Sequence, residues 1–155
     1  AERIPMQALL TQQWPTAITQ DPACANKNFR IPASQHTNAE KKGKIFRQSS
    51  LLRLWKERHV VVTDDSFMFW YSSQTDQVPE DVIALKKATG VRRDDGFGRP
   101  YSFIISTKGA VLPFSASSEE EMEAWLRVIG KAIVRATTTE WDETSDRLAE
   151  QQGGE

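Results

Sequence analysis

Apolar residues recur at two different spacings along this chain, and the change between them separates a run of strands from a helix. Between Gly43 and Ser115 they come in short runs with a two-residue alternation, the period of β-strands. Gly43–Gln48 predicts a first strand, Trp55–Thr63 a β-branched second and Phe67–Ser72 an aromatic third. Thr63-Asp64-Asp65-Ser66 is a turn by composition, so the second and third strands should form a hairpin. After a polar loop over Gln74–Asp81, the segments Val82–Leu85 and Ala88–Arg93 predict a fourth and a fifth strand. Asp94–Pro100 is a glycine-containing loop, and Tyr101–Ser106 pairs with Ala110–Ser115 across Thr107-Lys108-Gly109. Beyond Ser118 the spacing lengthens: Met122, Trp125, Leu126, Ile129, Ala132 and Ile133 form one helical stripe. Ser118 followed by Glu121 makes a capping box, and Glu119–Glu121 suit the positive end of the helix dipole. Seven strands with open edges cannot bury all their apolar faces. A sheet bent on itself and closed at one end by this helix can, so the expected class is mostly β.

The flanks follow neither period. Residues 1–41 hold four of the seven prolines and few charges before the Lys41-Lys42 pair, which predicts an extended arm. Met6, Leu9, Leu10 and Gln13 share a face, enough for one short helix. Trp14 after it is either a plug on the main domain or an anchor for a protein partner. Ala136–Glu155 carries six acids against Arg147 alone, a net of −5. Its polarity predicts a solvated helix extension with a disordered end, and Trp141 among those acids is a second candidate protein contact.

Composition narrows the class. A chain of 155 residues with 39% hydrophobic and 26% charged residues fits one soluble globular domain with extensions. No apolar run reaches the roughly 18–20 residues of a membrane span, and Ala1–Gln20 holds no apolar stretch of a cleavable signal. Cys24 is the sole cysteine, which excludes an internal disulfide and favours a reducing, cytoplasmic setting. Ala1 is not a Met, so an acylation signal upstream of it would not be visible.

Net charge is −1, but it is segregated. Between Lys41 and Arg58 lie Lys41, Lys42, Lys44, Arg47, Arg53, Lys56 and Arg58 against Glu57, a local +6 that leaves −7 for the remainder. Strand parity sharpens this. Val60 and Val62 are the core positions of the second strand, so Lys56 and Arg58 continue the same face beyond the core's end. Arg47 stands two residues after Ile45 in the same way. Three cations would then converge at one open end, an arrangement that calls for an anion such as phosphate. The intervening loop carries Leu51, Leu52 and Leu54 around Arg53. Leu51 and Leu52 either fold back under the loop or enter a lipid headgroup layer.

These residues resemble a pleckstrin homology (PH) domain over Lys42 to Arg135. The likeness rests on Gly43-Lys44-Ile45-Phe46-Arg47, on Trp55-Lys56-Glu57-Arg58-His59-Val60-Val61-Val62-Thr63-Asp64 and on Pro79-Glu80-Asp81-Val82-Ile83-Ala84-Leu85. Phe114-Ser115-Ala116 and the helix bearing Trp125 complete it. The resemblance implies a seven-stranded bent β-sandwich or partly open barrel capped by a C-terminal helix. It also implies a headgroup site in which Arg47, Lys56 and Arg58 clamp phosphate with Tyr71 nearby, and by their charge Lys44 and Arg53 are counted with that site. Lys42, Arg92 and Arg93 would add field. Departures are Phe69 where a tyrosine is common, Glu80 where selective inositide binders are often basic, and Leu51 where they often carry a cation. They point to a smaller headgroup such as phosphatidic acid as an alternative to a phosphoinositide. A PH core behind a long arm with an apolar basic loop is also similar to the acylated PH-domain proteins of apicomplexan parasites that sense phosphatidic acid.

The expected function is a monomeric peripheral membrane module on a cytosolic membrane face, with anionic lipids as partners. The alternative is a protein-interaction domain working through Trp14 or Trp141. Enzyme activity is not expected, because His36 and His59 have no nucleophile or orienting acid beside them. No metal-ligand spacing or nucleotide loop appears, so no cofactor is expected. Nucleic acid is not an expected partner.

Overall fold

A computed structural model describes residues 29–49 and 53–152, with side chains up to residue 138. Seven strands form one antiparallel sheet in the order β4-β3-β2-β1-β7-β6-β5. They are β1 (Ala39–Gln48), β2 (Trp55–Thr63), β3 (Phe67–Tyr71), β4 (Asp81–Ala84), β5 (Ala88–Arg93), β6 (Ser102–Thr107) and β7 (Ala110–Ser115). One α-helix, α1 (Glu119–Gln152), follows. β1 is longer than its alternation predicts because Ala39–Lys42 continues the ladder through an irregularity between Ala39 and Lys41. The expected end elements Met6–Gln13 and Trp14 lie outside the described residues. Among the described residues no helix is long and apolar enough to cross a membrane.

The hinge between the two halves of the sheet is short. β1 pairs along its length with β2 but meets β7 only at Phe46↔Ser115 and Arg47↔Phe114. The halves β1–β4 and β5–β7 join there and bend around a common core. Ile45, Val60, Val62, Met68, Trp70, Phe103, Ile105 and Phe114 fill it from the strands. Met122, Trp125, Ile129, Ala132 and Ile133 close it from α1, the stripe predicted by spacing. The Ser118 cap is present, with the Glu121 N–H donating to Ser118 Oγ at 3.1 Å. Trp125 packs closely on β1: a Cβ built on Gly43 would sit 3.4 Å from its Cζ2, in contact, so a side chain larger than alanine would have to displace the indole.

β3 is buried on both faces, which a half-solvated strand is not. Met68 and Trp70 face the core, whereas Phe67, Phe69 and Tyr71 face a second cluster with Val61, Val82 and Ala84. That outer cluster is covered by the segment before β1, through Phe29, Ile31 and Ala33. Phe29 meets Phe67 edge-on at 5.2 Å, and the Ala33 N–H donates to Asp76 O at 3.0 Å. The last part of the arm is therefore a third layer on the domain.

Candidate headgroup site

Register puts the cations of β1 and β2 into one column. Arg47 is opposite Lys56 and Ile45 is opposite Arg58, and directly opposed residues share a face. Ile45, Val60 and Val62 of that face are buried in the core, so Arg47, Lys56 and Arg58 stand where the core face runs out. Past them the paired strands end at Gln48 and Trp55. The Ser49 N–H donates to Leu54 O at 2.8 Å and Gln48 Nε2 donates to Arg53 O at 3.1 Å, which fixes the loop's base.

Two arginines share one carboxylate. Arg58 Nε lies 2.9 Å from Glu80 Oε2, and Arg47 Nη1 lies 3.9 Å from Glu80 Oε1. Glu80 is held in place by its own N–H donating to Trp70 O at 2.8 Å and by Ser72 Oγ donating to its Oε2 at 3.2 Å. Arg58 is further fixed by Nη1 donating to Glu57 O at 2.9 Å. Arg47 is less well served. Its side chain is 21% exposed, its Cζ sits 4.8 Å from the Trp70 ring centroid, and its Nε is buried with no partner. Burial pulls its pKa below the usual guanidinium value, with Arg58 adding to the effect and Glu80 and Asp81 opposing it. A cation desolvated on an indole face and short of acceptors is a ready seat for an anion.

The matching of residues 39–134 by the family model described as PH domain decides the family. The chain belongs to the PH-domain family. It is 35% identical to human pleckstrin over 95 residues, 60% of this chain and 27% of pleckstrin. It is 26% identical over 105 residues to Pleckstrin homology domain-containing protein 1 of Arabidopsis thaliana, 64% of this chain and 72% of that one. A solution structure of a pleckstrin homology domain superimposes with a TM-score of 0.54 at 32% identity, covering 60% of this chain and 83% of that one. The crystal structure of the carboxyl-terminal PH domain of pleckstrin superimposes with a TM-score of 0.55 at 21% identity, covering 61% and 97%. The narrower likeness to acylated parasite proteins draws no support from these relatives.

Several residues assigned to the headgroup site from sequence are elsewhere in this PH domain. Tyr71 is fully buried on the outer face of β3, opposite in parity to Trp70, and its hydroxyl donates to Ile31 O at 2.7 Å. It also accepts from His36 Nε2 at 2.7 Å, so it serves the arm and not the mouth. Lys44 has the outward parity of β1, opposite His59, and its Nζ lies 3.8 Å from Glu57. Lys42 is likewise outward, opposite Val61. Arg92 and Arg93 are on the edge strand β5, paired with Asp94 at 3.7 Å and with Glu119 at 2.9 Å. Arg53 is exposed in the loop at the mouth, with a left-handed φ of 52°. Leu51 and Leu52 lie outside the described residues. Leu54 is exposed.

One feature of the site was not found from sequence. Glu80 appeared there only as a departure, and its ion pairs depend on the path of the β3–β4 loop. Arg99 lies on the other face, stacked over Phe46 with its Cζ 4.1 Å from the ring centroid and 5.6 Å from the Trp55 ring. The signal for the outer layer was available: five consecutive apolar residues, Phe67–Tyr71, cannot all face one core.

Proposed function

We propose that this PH domain is a non-catalytic peripheral membrane module that binds a phosphomonoester headgroup of an anionic lipid through Arg47, Lys56 and Arg58. The phosphate belongs to phosphatidic acid or to a phosphorylated inositol ring, and Leu51 and Leu52 enter the headgroup layer. The observation that carries this reading is Arg47: desolvated over Trp70, with one 3.9 Å ion pair and an unpartnered Nε. A phosphate oxygen would supply the acceptors it lacks. Fold-level analogy supports the ligand class. PH domains of this fold have been crystallised with inositol pentakisphosphate, in the case of pleckstrin, and with inositol 4-phosphate, in the case of Slm1.

Basic residues contribute about 1 kcal/mol each near an anionic surface. The +6 segment Lys41–Arg58 therefore gives reversible attachment that a second anchor would strengthen. Co-sedimentation with phosphatidylcholine vesicles carrying phosphatidic acid, phosphatidylserine or a phosphoinositide at matched surface charge tests the reading. Arg47→Ala, Lys56→Ala and the double change Leu51→Glu/Leu52→Glu should each lose binding. Binding by all three at the wild-type level would refute it. The Arg58–Glu80 pair at 2.9 Å favours a second reading, in which the mouth is self-satisfied and a protein docks near Trp14 or Trp141. A folded wild-type protein that ignores every anionic vesicle would favour that one.

A further inference from the structure

Glu80 places a negative charge between the two arginines of the mouth. Its carboxylate spans both arginines of the mouth, touching Arg58 closely and Arg47 loosely. The backbone bond to Trp70 and the Ser72 hydroxyl aim it there, and the buried Pro79 before it restricts the chain at the start of β4. The side chain remains one-third exposed, so its charge reaches the space a ligand must enter. Among the described residues, a carboxylate aimed at the face shared by all three mouth cations is an odd element in a site for multiply charged anions.

We infer that Glu80 is the specificity-determining residue of this mouth, a tethered carboxylate that keeps Arg58 occupied and admits one phosphomonoester while rejecting a ring with adjacent phosphates. The inference rests on the headgroup reading above. A single phosphate can take Arg47, which is short of acceptors, together with Lys56 on the opposed strand, and leave Arg58–Glu80 intact. A second phosphate held next to the first must either displace Glu80 from Arg58 or lie against its like charge. Like charges a few ångströms apart in a partly desolvated site repel strongly. The same placement makes Glu80 a brake on affinity in general, because every anion entering the mouth feels it.

The test compares wild type, Glu80→Gln and Glu80→Ala on phosphatidylcholine vesicles. The vesicles carry phosphatidylserine, phosphatidic acid or a phosphatidylinositol bisphosphate at matched surface charge. Removing the charge should raise affinity for the bisphosphate about tenfold, raise affinity for phosphatidic acid by a smaller factor, and leave phosphatidylserine nearly unchanged. The salt dependence of bisphosphate binding should steepen in both variants. Thermal melting of both variants confirms folding, and agreement between them separates the charge from the shape of the side chain. If wild type binds phosphatidic acid above phosphatidylserine but both variants bind the bisphosphate no better than wild type does, Glu80 is a structural brace and the inference fails. If neither wild type nor variants prefer any phosphomonoester lipid over phosphatidylserine, the headgroup reading itself fails.

Discussion

At Tyr71 the hydroxyl is fully used, giving its proton to Ile31 O and accepting from His36 Nε2, both at 2.7 Å. At Arg47, across the same strands, a guanidinium has one ion pair at 3.9 Å and a buried Nε with nothing to bond. Both groups are removed from water by aromatic neighbours, yet only the first is closed. A buried hydroxyl satisfied as both donor and acceptor contributes to folding, because it recovers in the protein what it lost from water. A desolvated charge left short of partners contributes little to folding and is costly until something completes it. The difference separates the arm's docking face, which is architecture, from the mouth, where we propose that an anion binds.

The largest effect that could break this comparison is on binding. Arg47→Ala should lower affinity for phosphatidic acid vesicles by about 30-fold or more, while unfolding stability changes by less than about 1 kcal/mol because the buried cation is poorly compensated. Co-sedimentation and urea denaturation of the same sample read both numbers. A large loss of stability with binding intact would make Arg47 structural and erase the contrast.

The reverse pattern is expected on the arm face. Phe29→Ala should cost roughly 2–3 kcal/mol, short of the full core value because Phe29 sits at the margin of the outer cluster. Tyr71→Phe should cost about 1–2 kcal/mol by stranding His36 Nε2 and Ile31 O. Neither should alter vesicle binding per folded molecule. A Tyr71→Phe protein with wild-type stability and reduced lipid affinity would return Tyr71 to the mouth.

Acid should act through two histidines, His36 first. His36 donates from Nε2 to Tyr71, so its Nδ1 is the unprotonated nitrogen, and that atom is buried without a partner. Its pKa is lowered by burial first, then by Lys42 and by His59, with Asp65 opposing. The folded state thus holds the proton less tightly than the unfolded chain, whose value is near 6.5. Stability from neutral His36 is complete above that value and is lost as pH falls through it toward the lowered folded one. His59, lowered by burial and by Lys42 and Lys44, acts in the same direction. The melting temperature should fall as pH drops from 7 toward 5, and His36→Gln should flatten part of that slope. An unchanged slope in His36→Gln would assign the acid sensitivity elsewhere.

Much of the fold was legible because its signals are local. β2, β5 and β7 fall on the segments expected of them, and the α1 stripe follows from side chains that repeat every turn. The column Arg47, Lys56 and Arg58 was legible for the same reason, since parity carries over from Ile45, Val60 and Val62. What parity could not supply was the partner. Glu80 is more than twenty residues from Arg58 in sequence, and only the loop after β3 brings it across. The same logic explains the misplaced residues. Lys44 and Lys42 were pooled with the mouth by charge, although one step of parity separates them from Arg47. Tyr71 was assigned through a family position, while the burial of both faces of β3 assigns it to the arm.

The smallest effects sharpen the boundary between a site and a charged surface. Lys44 is largely exposed on the outward face beside Glu57, and Arg92 is exposed on the far edge strand beside Asp94. Each can add only to the long-range field, which salt screens over about 10 Å at 0.1 M. Lys44→Ala should therefore weaken vesicle binding less than about threefold and by the same factor for phosphatidylserine, phosphatidic acid and a phosphoinositide. Arg92→Ala should do less still. Arg47→Ala differs in kind, because its loss should fall hardest on the headgroup that bonds it. If Lys44→Ala and Arg47→Ala instead shift all lipids equally, the mouth is a patch of positive charge without chemistry of its own. The ratio of their effects across headgroups, rather than the size of either, decides whether this end of the barrel recognises phosphate.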